Sequence, residues 1–387
     1  MTNPANPKPS KPSKSSNSAT HRARWITLVA AGAALASVTA GALPASARQN
    51  PAPAPATARI GDQRYALDEQ KLAQLMTPDG VANGTMVRVS GSGVPGIHWT
   101  KAAGPVSQDP AASFRIGSMT KLFTSTLVLQ LVAEGRFTLD TPIREVLPDT
   151  IPAHWAPITI GQLLSHTSGL RAPCGDLRDG LGLTPEKVVA AWTADGCPAP
   201  EHPVTTQQYN GGNYFILGLA IEKVTGRSYA DELQRRITRP LGLRHTYLPR
   251  TGDASMPSPS LAEPTPKEPW AWAEGGMISN APDMERFMKA LLGGRLLPPA
   301  QQAQLFVMPK LAATSKELPY SQGGLAYSKL SDGTEVWGKT GSMAQYSNGA
   351  FGTAGGRRIV TYSFLPTPEA TKQDVIARVV GIVEAAL

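Results

Sequence analysis

The sequence is poor in residues that several classes of protein require. Of its 387 residues, only two are cysteine and six are histidine, and 6% are aromatic. Two cysteines without a nearby Cys or His pair form no metal-site pattern, so neither a metal nor another cofactor is expected. No acidic residue precedes Arg48, whereas five basic residues do. Without these five the formal charge falls from +8 to +3, which argues against a nucleic-acid partner.

The same N-terminal segment has the parts of a secretory signal. A basic start is followed by an apolar stretch from Trp25 to Leu43 and by Ala45-Ser46-Ala47, a small-x-small cleavage pattern. This predicts a signal peptide over residues 1–47, a mature chain from Arg48 and a secreted protein without a membrane partner. The alternative is an uncleaved anchor, because about 19 apolar residues can just span a bilayer. Since Ala, Gly, Ser and Thr dominate the stretch, cleavage is favoured.

The rest of the chain predicts a linker and one domain. Residues 48–58 are Pro/Ala-rich and stiff, and a folded domain is expected over residues 59–387. MVRVSGSG and GIHWTKAAG predict a hairpin near its start, and GGLAYSKL, TEVWGKT, SNGAFGTA and RRIVTYSFL predict strands near its end. Helices closed by glycine lie between them, and a last helix is expected over about residues 368–386. This order predicts a mixed α/β (α+β) fold, in which an antiparallel sheet from both chain ends, flanked by helices, shares a cleft with an inserted helical region.

The two cysteines lie 23 residues apart, at Cys174 and Cys197. In an exported chain they predict a disulfide. Closing that loop stabilises a fold by about 3 kcal/mol on the chain-entropy model. Two unpaired thiols are the alternative.

The first motif with chemical meaning is FRIGSMTK, which places Ser118 three residues ahead of Lys121. In a helix these positions share a face, so Lys121 could take the proton that makes the Ser118 hydroxyl a nucleophile. A free lysine has a pKa of about 10.4 and must be shifted strongly downward by burial or a neighbouring cation to act as a base near pH 7. The alternative is a capping serine beside a solvated lysine, because chance supplies about one Ser-x-x-Lys in a chain of this length.

Two further motifs add groups to this pair. Lys339-Thr340-Gly341 ends a predicted strand: Lys339 would favour a neutral Lys121, Thr340 offers a hydroxyl to a substrate carboxylate or amide, and Gly341 lets a ligand approach the backbone. Tyr209, in a loop before a helix, could relay a proton if it lay between the two lysines. An exposed turn and a packed tyrosine are the alternatives.

Other serine machineries have little support in the sequence. No Gly-x-Ser-x-Gly occurs, which argues against an α/β-hydrolase site. His166, in SHTSGL, is the best patterned histidine and is interpreted as a local structural residue. A Ser-His-Asp triad is therefore unsupported, although the sequence does not exclude it.

Ser-x-x-Lys, then Tyr, then Lys-Thr-Gly, in one exported chain, resemble the penicillin-recognising serine hydrolases. The chain is most similar to the secreted D-alanyl-D-alanine carboxypeptidases and the class C β-lactamases. The resemblance extends from about Tyr65 to the C-terminus and includes LLSHTSGL, YFILGLAIEKVTG, GGMISNAPDMERFMKALLGG and WGKTGSMAQYSNGAF.

The resemblance implies a role for each motif residue. Ser118 would be the acylated nucleophile, Lys121 its proton acceptor and Tyr209 the proton shuttle to the leaving group. Lys339, Thr340 and Gly341 would line the opposite wall, and the backbone N–H groups of Ser118 and Ser342 would form the oxyanion hole. Trp270 matches an aromatic cleft residue of the carboxypeptidases, although a packed tryptophan explains it equally well.

Two positions depart from the family pattern. Where the family has Tyr-x-Asn, this chain has Tyr209-Asn210-Gly211, so the asparagine that holds the substrate's acyl-amide is missing. Where carboxypeptidases can have an arginine for the terminal carboxylate, this chain has Ser328 and Lys329. These changes affect substrate identity more than acylation.

The resulting expectation is a serine hydrolase, most similar to a D-alanyl-D-alanine carboxypeptidase of cell-wall peptides. Its partner would be a small peptide or β-lactam substrate, and a peptidoglycan precursor is the expected peptide. The chain would act as a monomer. A β-lactamase and a β-lactamase-fold esterase share the same acyl-enzyme. An alternative of another class is a non-catalytic penicillin-binding or sensor protein.

Overall fold

The computed structural model describes residues 67–91, 98–106, 109, 111–174, 184–249, 271–314, 318–343 and 346–387. The predicted signal peptide (1–47), the predicted linker (48–58) and Trp270 lie outside these residues. None of the helices within these ranges combines the length and the apolar character that crossing a membrane requires.

Helices and strands alternate in blocks along the chain. The helices are α1 (Glu69–Met76), α2 (Thr120–Ala133), α3 (Ile143–Val146), α4 (Ile160–Leu164), α5 (Pro185–Thr193), α6 (Gly212–Thr225), α7 (Tyr229–Leu233), α8 (Trp272–Gly275), α9 (Ala281–Leu292), α10 (Pro299–Gln304) and α11 (Lys372–Ala386). The strands are β1 (Ala82–Gly91), β2 (His98–Ala103), β3 (Phe114–Arg115), β4 (Ile278–Ser279), β5 (Ala326–Lys329), β6 (Glu335–Met343), β7 (Tyr346–Thr353) and β8 (Arg358–Pro366).

The main sheet joins the two ends of the domain, as predicted. Its strand order is β2-β1-β8-β7-β6-β5, and every neighbouring pair is antiparallel. Successive residues of a strand point to opposite faces: Val87 packs with α1 and α11, whereas Met86 packs with the helical region. The predicted fold class is therefore confirmed, with a helical layer on each face of one sheet.

The helix expected to carry both Ser118 and Lys121 begins only after Ser118. Gly117–Met119 form a 3₁₀ turn, and α2 follows from Thr120. Gly117 has φ +54°, a conformation that favours glycine. The turn sets Ser118 at the N-terminal end of a helix whose residues from Thr120 to Leu129 are all buried. Burial on every side explains why the sequence shows apolar residues without a single helical stripe.

The C-terminal helix also begins later than expected, at Lys372 rather than near residue 368. Thr371 caps it in a capping box with Asp374, in which each side chain accepts from the other residue's backbone N–H. This local hydrogen bonding fixes the start, so the preceding Pro368 lies outside the helix.

Cys174 and Cys197 form the predicted disulfide, with their Cα atoms 5.6 Å apart. The bond ties the segment after Leu170 to the turn that follows α5. In the same place Trp192 Nε1 donates to the carbonyl of Arg171 at 2.9 Å. The disulfide therefore supports a segment whose carbonyl groups also hold the loop that carries Tyr209.

Candidate active site

Three elements hold the turn that carries Ser118. β3 pairs with β4, and Asn348 Nδ2 of β7 donates to the carbonyl of Arg115 at 2.8 Å. The Thr120 hydroxyl accepts from Met277 N at 3.1 Å. Ser118 is thereby fixed between the sheet and the helical region and remains 6% exposed.

The predicted nucleophile meets both of its predicted partners. Ser118 Oγ lies 2.8 Å from Tyr209 Oη, and Lys121 Nζ donates to Ser118 Oγ at 3.2 Å. Lys121 is completely buried. Three residues from two separate sequence motifs therefore share one hydrogen-bonded cluster.

The Lys-Thr-Gly segment of β6 forms the facing wall of this cluster. Lys339 is 1% exposed, and its Nζ donates to Tyr320 Oη at 3.2 Å. The Tyr209 ring lies between the two lysines, with Lys121 Nζ 5.0 Å and Lys339 Nζ 4.7 Å from its centre. Both distances allow cation–π attraction, so the lysines hold the ring as well as surrounding its hydroxyl with positive charge.

The backbone of β6 packs directly against the nucleophile turn. A Cβ on Gly341 would lie 2.0 Å from the carbonyl oxygen of Ile116, and a Cβ on Gly117 would lie 2.9 Å from Ser342 N. On this side Gly341 therefore accommodates the Ile116 carbonyl rather than a ligand. The close approach brings the backbone of Ser342 beside Ser118, the arrangement that an oxyanion hole needs. Thr340 and Ser342 are only partly buried.

His166 supports the tyrosines instead of contacting Ser118. It has φ +57°, is fully buried, and its ring centre lies 4.5 Å from that of Tyr209 and 4.8 Å from that of Tyr320. Its Nδ1 accepts from Asn210 N at 3.2 Å, whereas Nε2 has no hydrogen-bond partner among the described residues. Burial, aided by the charges of Lys121 and Lys339, holds the pKa of His166 well below its usual 6.5. Its contacts agree with a structural role.

The buried His166 predicts a loss of stability on mild acidification. Below about pH 6.5 the unfolded chain takes up a proton at this position that the folded protein does not, so the free energy of unfolding falls as the pH falls. We expect the His166→Asn variant, which tolerates positive φ, to lose this slope, up to about 1.4 kcal/mol per pH unit. Urea unfolding of both proteins between pH 5 and 7 measures the difference, and equal slopes would contradict it.

Asn210 does not replace the missing family asparagine. Its Nδ2 donates to the carbonyl groups of Leu170 and Arg171 at 2.9 and 2.8 Å, and its Oδ1 accepts from Gly212 N at 2.8 Å. All of these contacts close the loop onto the segment that the disulfide supports. The Asn210 side chain is therefore committed to the loop's own structure.

The two residues at the position of the carboxypeptidase arginine, Ser328 and Lys329, lie away from Lys-Thr-Gly. Ser328 borders a gap with Val379 and Val383 of α11, on the opposite face of the sheet. Lys329 pairs in register with Glu335, four residues before Lys339 and about 13 Å along the strand. Neither side chain can bind a ligand at Lys-Thr-Gly.

Glu274 is the site residue that sequence reasoning missed. Its carboxylate forms an ion pair with Lys121, and its carbonyl accepts from Lys121 Nζ at 2.7 Å. The side chain is 18% exposed. The only sequence signal was an acidic residue within the otherwise apolar and small segment WAEGGMISN.

A family model described as Beta-lactamase matches residues 69–371, which include the whole cluster around Ser118. The chain belongs to the beta-lactamase family. The resemblance to penicillin-recognising serine hydrolases is thereby confirmed, and with it the general class of beta-lactamase-fold serine hydrolases.

Relatives within the family differ in what their names say they do. A solved D-stereospecific amidohydrolase from Streptomyces sp. is 32% identical, with a TM-score of 0.65 over 81% of this chain and 96% of that one. Penicillin-binding protein 4 of Amycolatopsis lactamdurans is 32% identical over 48% of this chain and 52% of its own length. Teichoic acid D-alanine hydrolase of Staphylococcus aureus is 32% identical over 36% of this chain and 34% of its own length.

The chain spans about half the length, or less, of these two curated relatives. It covers nearly the whole of the solved amidohydrolase.

Proposed function

We propose that this protein is a serine amidohydrolase that cleaves amide or peptide bonds on the carboxyl side of a D-amino acid residue, through an acyl-enzyme on Ser118. The observation that carries the proposal is the hydrogen-bonded cluster of Ser118, Lys121 and Tyr209 beside the backbone of Ser342. The names of the solved amidohydrolase and of the teichoic acid D-alanine hydrolase supply the D-configuration.

The proposed reaction has two steps. The form that reacts is the one in which Lys121 is a neutral amine: Ser118 Oγ attacks the amide carbonyl, and Lys121 accepts the hydroxyl proton while the backbone N–H groups of Ser118 and Ser342 stabilise the oxyanion. Tyr209 passes the proton to the leaving nitrogen, the C–N bond breaks, and the amine departs. Water then attacks the ester on Ser118, and the free acid is released with the hydroxyl restored.

The contacts of β5 favour an amidase over a carboxypeptidase within this class. A carboxypeptidase must bind the free carboxylate of the leaving residue, and bidentate arginine contacts are well suited to that task. Ser328 faces α11 and Lys329 lies at the far end of β5. The D-alanyl-D-alanine carboxypeptidase activity implied by the resemblance is therefore the less favoured form of the proposal.

A comparison of enantiomers tests the proposed function. With D-alanine and L-alanine p-nitroanilides, kcat/KM is expected to favour the D form by about 100-fold, the discrimination that small geometric differences produce in a fitted site. Intact-mass measurement should find a D-alanyl adduct, and peptide mapping should place it on Ser118. Equal turnover of both enantiomers, or no turnover of either, would contradict the proposal.

Parallel substrates separate the related activities. Release of D-alanine from an N-acylated D-Ala-D-Ala peptide would indicate the carboxypeptidase form. Faster opening of a chromogenic cephalosporin would indicate a β-lactamase, and faster hydrolysis of p-nitrophenyl acetate an esterase. A lasting penicillin adduct without turnover of any of these substrates would indicate a non-catalytic penicillin-binding protein.

Export is part of the proposal because residues 1–47 have the pattern of a cleaved signal. The substrates would then be D-amino acid derivatives outside the cytoplasm, including fragments of the cell wall. N-terminal sequencing of exported protein tests this, with Arg48 as the expected first residue; an intact N-terminus would contradict it.

A further inference from the structure

Glu274 occupies a position that its surroundings fix tightly. Thr124 Oγ1 donates to the carbonyl of Ala273 and Lys121 Nζ to that of Glu274, both at 2.7 Å. The preceding Trp272 has φ +29°, a conformation that is costly for a bulky residue, and is held by packing against Tyr229. The fold thus maintains an unfavourable backbone conformation at Trp272, two residues before Glu274, whose carboxylate pairs with Lys121.

Gly211 gives the Glu274 carboxylate its space. A Cβ at position 211 would lie 3.2 Å from Glu274 Oε2 and 3.4 Å from Glu274 Cδ. The backbone there has φ −65° and ψ −33°, which any residue adopts easily. The glycine is therefore explained by the neighbouring carboxylate and not by the chain's conformation. An asparagine at 211 would make a tight contact with the Glu274 carboxylate, which would have to move by a few tenths of an ångström.

A carboxylate in place of the family asparagine reverses the hydrogen-bonding character of this part of the site. An asparagine donates N–H groups to a substrate carbonyl, as the acyl-amide of a penicillin or blocked peptide requires. An ionised glutamate has only acceptors, so it repels a carbonyl oxygen and attracts a cation. The group that fits is an ammonium, which pairs with the carboxylate when Lys121, its partner in the structure, is the neutral amine that the proposed reaction requires.

The distances match the amino group of an aminoacyl substrate. Lys121 Nζ contacts both Ser118 Oγ and the Glu274 carboxylate, so these oxygens are no more than about 6 Å apart. In an aminoacyl group the α-nitrogen lies about 2.5 Å from the carbonyl carbon that Ser118 attacks. An ammonium at that distance can reach Glu274 while the carbonyl is bonded to Ser118.

We propose that Glu274 binds the α-ammonium group of the acyl donor and that Gly211 makes room for it. This rests on the proposed function and narrows its substrates to amides and short peptides whose N-terminal D-residue is unblocked. N-acylated peptides are poor substrates, because their neutral acyl-amide meets a carboxylate instead of an asparagine.

A matched pair of substrates tests the assignment: D-alanine p-nitroanilide and N-acetyl-D-alanine p-nitroanilide. A charged hydrogen bond changes kcat/KM by about 10- to 150-fold, so the wild-type protein is expected to prefer the free amine by a factor in that range. In Glu274→Gln the preference should fall at least about tenfold, mainly through a higher KM for the free amine. Gly211→Asn combined with Glu274→Gln should favour the acetylated substrate. Glu145→Gln, an exposed acidic position on α3, is the matched control and should keep the wild-type preference.

The outcomes are distinguishable from failure of the proposed function. If neither anilide is hydrolysed, the proposed function itself fails. If both are hydrolysed with equal kcat/KM, the function stands and the role of Glu274 is wrong. If Glu274→Gln slows both substrates by the same factor, Glu274 only positions Lys121, and the recognition proposal is likewise overturned.

Discussion

Alanine in place of Ser118 is expected to lower kcat/KM for D-alanine p-nitroanilide at least about 10⁴-fold, the scale seen when a serine nucleophile is removed. The Ser118 hydroxyl is the only part of the side chain that can form the acyl ester. The remaining groups, Tyr209 and the backbone of Ser342, can still bind and polarise the substrate. Residual activity above the uncatalysed rate is therefore expected, but no covalent adduct.

Ser125→Ala is the matched control for this variant. Ser125 lies on α2, which follows the turn that carries Ser118; it is 2% exposed and shares a hydrogen bond of 3.1 Å with Tyr214 Oη. Its removal should lower stability slightly and leave the acyl adduct in place. Intact-mass spectrometry of the three proteins gives the result, and an adduct that persists in Ser118→Ala would contradict the assignment of the nucleophile.

Parts of the site could be predicted because they depend on local geometry. A spacing of three residues brings Ser118, in the 3₁₀ turn, and Lys121, in α2, to one face, and Gly117 adopts the positive φ of that turn. Strands of the sheet such as β7 and β8 are buried along nearly their whole length, and β5 is joined to β6 by a glycine turn at Asp332-Gly333. That Tyr209 would join these motifs in one site was expected from the resemblance. Residue spacing alone does not predict it.

The exchange of an asparagine for a carboxylate could not be predicted, since it links residues far apart in the chain. Gly211 was recognisable as a departure, and Glu274 lies 63 residues later with no pattern that connects the two. Only tertiary packing brings the carboxylate into the space that the glycine leaves. The same holds for Lys329, whose distance from Lys339 depends on strand register rather than on sequence order.

The buried charges make the arrangement of the site depend on mutual pairing. Lys121 and Lys339 are both buried beside one tyrosine ring, and each has a polar partner, Glu274 or Tyr320. Removing Lys121 leaves the Glu274 carboxylate without its ion-pair partner in a region of low polarity. Activity and stability must therefore be separated when any of these residues is replaced.

Methionine in place of Lys121 is expected to reduce the rate of acylation at least about 10³-fold, because it removes the group that accepts the Ser118 proton. Methionine keeps the unbranched shape of the side chain inside a completely buried space. It also leaves the Glu274 carboxylate without its ion-pair partner, which should destabilise the fold by about 1–3 kcal/mol, since that side chain keeps some contact with water.

The double variant Lys121→Met with Glu274→Gln separates the two effects. Neutralising Glu274 removes the unpaired charge, so thermal unfolding should return toward that of Glu274→Gln alone, whereas acylation should remain lost. Stopped-flow acylation by p-nitrophenyl acetate, which lacks an amino group, measures the chemical step without the amino-group recognition proposed for Glu274. Near-normal acylation in Lys121→Met would show that another group takes the Ser118 proton. Recovery of acylation in the double variant would show that the loss came from the unpaired carboxylate and not from the missing base.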